Sequence, residues 1–177
     1  MPSTFAQLNP TRVKFTVEIP FADLKPALAK MCSMGSTLEE VQLKALGAMT
    51  LKLYKEYGRD LTITGLRDAL ITGSIPELGL TNDQRIKDLA VMLNPYTKDG
   101  EYARFFEGRN NIDFSNDFMV IENEELKRKP ELHAVVNILL MCQITGQMYL
   151  TRDRKKLLFI DELKQQIADY QKKLVDY

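Results

Sequence analysis

The chain of 177 residues has no tryptophan, one histidine and two cysteines, and each shortage removes a class of chemistry. His133 lies on a largely apolar stretch with no acid or thiol four residues to either side, so it reads as a core or boundary residue and not a catalyst. Cys32 and Cys142 are far apart, in apolar surroundings and without C-x-x-C spacing, which favours two reduced thiols over a disulfide or a metal site. Charge of either sign is not in surplus: Lys plus Arg and Asp plus Glu are 24 each, so no net field draws the chain to nucleic acid or an anionic membrane. The basic runs Lys127-Arg128-Lys129 and Arg152 to Lys156 read as solvated loops. No apolar run approaches the length of a membrane span, and Met1 to Gln7 lacks the basic start and apolar core of a signal peptide. A soluble, cytosolic protein is expected. None of the nine glycines is followed by lysine, so there is no Gly-rich Lys-Ser/Thr loop whose backbone N–H groups and lysine could cradle phosphates.

What is present begins with a polar arm and an alternating stretch, Val13 to Ile19, predicted as a half-buried strand stopped by Pro20. Helices follow. The first is expected over Phe21 to Met34, with Pro26 in its first turn or breaking it. Ser36-Thr37-Leu38-Glu39-Glu40 offers a capping box for a second, with Leu38, Val41, Ala45, Met49, Leu53 and Tyr57 as its apolar stripe and Gly58 as its stop. A third is predicted from about Gly65 to Thr72, capped by Thr64, with Leu66, Ala69 and Leu70 inward. Thr81-Asn82-Asp83-Gln84 opens a fourth, with Ile86, Leu89, Ala90 and Leu93 inward and Asn94-Pro95 at its end. Residues 21 to 93 thus read as a small helical bundle without a titratable constellation.

In the next loop, Asp99-Gly100 signals a turn, and Tyr102, Phe105 and Phe106 can form one short helical face. Arg104 among them has two readings: a cation aimed at a neighbouring subunit's nucleotide phosphates, or a guanidinium stacked on the aromatic rings or paired with Glu101 or Glu107. Ile112-Asp113-Phe114 and Phe118 to Glu122 read as short strands around a Ser115-Asn116-Asp117 turn. Pro130 opens a helix to about Tyr149, apolar over most of its girth and expected to pack on a sheet.

The four apolar residues Leu157 to Ile160, after the charged run ending at Lys156, fit a strand buried on both faces. Asp161 and Glu162 end it. Strand, helix and strand in this order predict a right-handed parallel βαβ unit, with the carboxylates on the rim where open α/β sheets bind ligands. Such a Walker B pattern can hold Mg²⁺ through its water shell and orient an attacking water, although strands also end in acids simply to cap the next helix. Leu163, Ile167, Tyr170, Leu174 and Tyr177 mark an amphipathic terminal helix.

Four blocks now stand in order: Asp99 to Gly108, Ile112 to Asn116, Val120 to Lys127, and Leu157 to Glu162. Together they resemble the latter part of the TraC-type conjugative-transfer ATPases, plasmid relatives of the VirB-type ATPase of type IV secretion. Tyr57 to Thr64 is similar to the helical insertion those proteins carry between their Walker A and Walker B motifs, and the resemblance runs from about Phe21 to Glu162. It implies an α/β but mostly helical fold: a partial RecA-like P-loop NTPase core, with a βαβ unit ending in Walker B and an inserted helical bundle. The implied organisation is an arm and strand over residues 1–20, the helical insertion over 21–108, and the partial α/β segment with its terminal helix over 109–177. By resemblance, Asp161 is the Mg²⁺-coordinating, Mg-ATP-binding acid, Glu162 the water-activating acid, and Arg104 a candidate phosphate contact in trans.

The departures from the family are equally specific. The phosphate loop is absent, the acidic pair is followed by Leu163-Lys164 in place of Ala-Trp, and the fifteen residues after Glu162 leave no room for the later motor motifs. The expectation is an internal piece of such an ATPase, holding Mg-ATP weakly or not at all by itself. It would be a cytoplasmic protein, with peripheral association at the inner membrane through partners such as ATPase subunits or the secretion complex. The alternative is a non-enzymatic module that binds those ATPase subunits or other transfer components.

Overall fold

The computed structural model describes residues 6–8, 21–33, 37–106, 118–150, 155 and 157–159. The chain forms two compact units, residues 1–147 and 148–177. The expected strand at Val13–Ile19, the strand at Ile112–Phe114 with its Ser115–Asp117 turn, and the terminal helix lie outside the described residues.

The first unit opens with a short strand, β1 (Ala6–Leu8), within what reads as a polar arm. Helix α1 (Phe21–Cys32) carries Pro26 in its interior, not in its first turn. Proline there removes one i→i−4 bond, yet the helix continues, because Leu24, Ala27, Leu28 and Met31 on either side of it are all buried. Packing outweighs the local defect.

Helix α2 (Glu40–Tyr57) starts later than the expected box at Ser36. Its cap is Glu39, whose N–H donates to Gln42 Oε1 at 3.0 Å, and Gln42 Nε2 in turn donates to the Arg85 carbonyl at 3.3 Å. That long-range bond decides the cap, since it ties the first turn of α2 to the next-but-one helix. The buried face is Gln42, Ala45, Leu46, Gly47, Met49, Thr50 and Leu53; Leu38, Ala45, Met49 and Leu53 of the expected stripe are buried, whereas Val41 is half-buried and Tyr57 exposed. Gly58, at φ +56°, ends the helix, as glycine does where the chain must leave a helix with positive φ.

Helix α3 (Ile63–Leu70) is capped by Thr62, which accepts from the Gly65 N–H, and not by Thr64. The Thr64 hydroxyl instead accepts from the Lys98 N–H at 3.0 Å. Helix α4 (Gln84–Leu93) is capped by Asp83 through the Arg85 N–H and buries Ile86, Leu89, Ala90 and Leu93, the inward set read from the sequence. A 3₁₀ turn over Asn94–Tyr96 and the four-residue α5 (Ala103–Phe106) follow.

Strand β2 (Met119–Ile121) pairs in parallel with β1, Ala6 opposite Met119 and Leu8 opposite Ile121. A 3₁₀ turn over Glu124–Arg128 leads to α6 (Pro130–Leu150), which buries Leu132, Val135, Val136, Leu139 and Leu140. One hydrophobic cluster runs from Leu24 through the bundle to Leu140. At about 1.5–3 kcal/mol for each fully buried large side chain, this cluster holds the unit together.

In the second unit the expected strand is not formed by its described residues, Leu157 to Phe159. Leu157, Leu158 and Phe159 carry no regular secondary structure and are 79%, 37% and 85% exposed. A strand buried on both faces needs paired neighbours and covering layers. The only paired strands among the described residues are β1 and β2, so the described residues by themselves do not form the expected βαβ unit.

Candidate functional site

Asp161 and Glu162 lie outside the described residues. What precedes them, Leu157 to Phe159, is the exposed apolar segment just described.

The third candidate, Arg104, is well placed by its surroundings. The loop from Asn94 to Phe106 folds on itself around Tyr96, which is 1% exposed. The Tyr96 ring lies 5.3 Å from Tyr102 and 5.2 Å, edge-on, from Phe106, separations typical of favourable aromatic pairs. The Tyr102 N–H donates to the Pro95 carbonyl at 2.8 Å and the Gly100 N–H to the Thr97 carbonyl at 2.9 Å. Lys129, one residue before α6, pairs with Glu101 and sits 5.0 Å from the Tyr102 ring centroid, pinning the loop to the start of that helix.

On this base Arg104 is exposed, and its guanidinium carbon stands 4.7 Å from the Phe105 ring centroid. Of the two readings, the stacked arrangement is the one present within the chain. Burial, and secondarily the Glu101 carboxylate, raise the Tyr102 hydroxyl above its ordinary pKa. Burial likewise raises Tyr96. Neither phenol is prepared to ionise.

At the carboxyl end of β2 a polar group stands out that the sequence reading passed over. Asn123 Nδ2 donates to Asn137 Oδ1 at 2.7 Å, Asn137 Nδ2 lies 3.1 Å from His133 Nε2, and Asn123 Oδ1 is buried without a hydrogen-bond partner among the described residues. His133 is half-buried, at the boundary where the sequence put it. The available signal was His133 and Asn137 at i, i+4 on an otherwise apolar helix.

Cys32 is buried and Cys142 half-buried. Burial pushes the Cys32 thiol up to about 12, which keeps it protonated and unreactive.

A nucleotide with its Mg²⁺ requires acidic ligands for the metal beside a cradle of backbone N–H groups for the phosphates. Two adjacent carboxylates suit the metal, but the described glycines sit in helices, caps and turns, and none precedes a lysine. No phosphate cradle occurs among the described residues. Nor do the described residues include a helix long and apolar enough to cross a membrane.

The fold is thus a mostly helical unit with a small parallel sheet, followed by an apolar run and two carboxylates. Comparison with known proteins places it. Residues 77–177 match the family model of the TraG P-loop domain, and the chain belongs to this family of conjugative-transfer, type IV secretion ATPases. Among solved structures it is similar to VirB4 of Thermoanaerobacter pseudethanolicus, at 17% identity and a TM-score of 0.60, over 87% of this chain and 64% of that one. The chain therefore spans a little under two thirds of the length of that structure, and the likeness is one of fold. No curated protein matches.

Proposed function

We propose that these residues form the Walker B part of a TraC-type ATPase of conjugative transfer, and that by themselves they hydrolyse little or no ATP. Asp161 takes the place of the acid that holds Mg²⁺, and Glu162 that of the acid that orients water. Residues 1–20 act as arm and strand, 21–108 as the helical insertion, and 109–177 as the partial RecA-like segment. The observation that carries this reading is a conjunction. The family match extends over both carboxylates, while no glycine in the chain precedes a lysine, so the anion-binding half of the site has no counterpart here. Arg104, exposed on a rigid aromatic base, is the residue we assign to a phosphate held by a neighbouring subunit. The partners are ATPase subunits and the inner-membrane secretion complex, and the location is the cytoplasm or its membrane face.

Titration of the purified chain with Mg-ATP in a calorimeter tests the proposal. No saturable heat is expected, and a dissociation constant in the micromolar range would overturn it.

A second reading is favoured by the exposure of Leu157, Leu158 and Phe159. Apolar chain without a partner strand is a surface for pairing, and a non-enzymatic module that binds full-length ATPase subunits would use it. Under that reading the chain co-purifies with such a subunit and loses it on Phe159→Asp.

A further inference from the structure

We draw no further inference here: the strongest candidate, the open apolar groove of about 520 Å³ between α1 and α2 lined by Leu28, Leu43, Leu46, Leu51 and Leu78, has the Lys44 ammonium on its rim already paired with Glu40, and nothing in the structure shows what covers it.

Discussion

Gly100 is the residue on which the aromatic loop turns, and Gly100→Ala tests that account. A methyl at this position would stand 2.3 Å from the Asn94 carbonyl oxygen, 2.4 Å from that of Pro95 and 2.5 Å from the Pro95 carbonyl carbon. Ordinary contact begins at 3.4 Å. All three atoms are backbone, so no side chain can swing aside, and the turn itself must open by about an ångström. The backbone of Gly100 is not in the positive-φ region occupied by Gly58, Gly73 and Gly79, so the demand for glycine here is one of close approach alone. Forcing extra atoms into a filled space costs about 1–3 kcal/mol. Opening the turn also strains the Tyr102 N–H bond to Pro95, worth about 1 kcal/mol. A total near 2–4 kcal/mol corresponds to a fall in Tm of roughly 5–15 °C for a chain of this size. Thermal unfolding followed by far-UV circular dichroism measures it. Gly146→Ala is the matched control: it lies inside α6 with nothing within 4 Å of the added methyl, and should gain about 0.5–1 kcal/mol from helix propensity. If Gly100→Ala melts within about 1 °C of the parent, the close packing of this turn is not what the geometry says it is.

Further outcomes follow from individual contacts. Tyr96→Phe should leave stability unchanged or raise it by about 1 kcal/mol, because the buried hydroxyl finds no partner in the protein; a loss of 2 kcal/mol or so in urea denaturation would mean the hydroxyl is bonded. Leu132→Ala, at a fully buried position, should cost about 2–5 kcal/mol, whereas Leu157→Ala at an exposed one should stay within about 0.5 kcal/mol, both read from denaturant midpoints. Burial holds the folded Cys32 thiol above its ordinary value of 9.0, at about 12. Its contribution to stability is therefore complete below pH 9 and fades as pH rises from 9 towards 12, since only the unfolded chain ionises in that window. Cys32→Ala should flatten that alkaline slope, and an unchanged slope would place its origin elsewhere.

The α4 inward set and the Tyr102, Phe105 and Phe106 cluster could be read directly from spacing, because both are local: side chains three and four apart share a face wherever the helix lies. The length of α6 could be read for the same reason. The starts of α1 at Phe21 and of α6 at Pro130 could be read as well, but the caps of α2 and α3 could not. Glu39 caps α2, and Gln42 in its first turn is also held by the Arg85 carbonyl, 43 residues away; Thr62 caps α3, while the Thr64 hydroxyl accepts from the Lys98 N–H. A cap is a competition among nearby oxygens, and distant partners settle it. Of the candidate site, the residue types of Asp161, Glu162 and Arg104 were legible, and only the structure put Arg104 on Phe105. It also brought Asn123 to Asn137 beside the sheet edge.

Sequence alone determined what this chain can and cannot supply chemically: two adjacent carboxylates after an apolar run, and no lysine behind any glycine to bind phosphate. Those are properties of order along the chain and need no folding to be true. Tertiary structure decided which apolar residues are used. Leu132, Val135, Val136, Leu139 and Leu140 are buried as part of one apolar cluster with the residues of the bundle. Leu157 to Phe159, equally apolar, are exposed: burying a strand requires neighbours that hydrogen-bond its edges and layers that cover its faces, and hydrophobicity by itself provides neither.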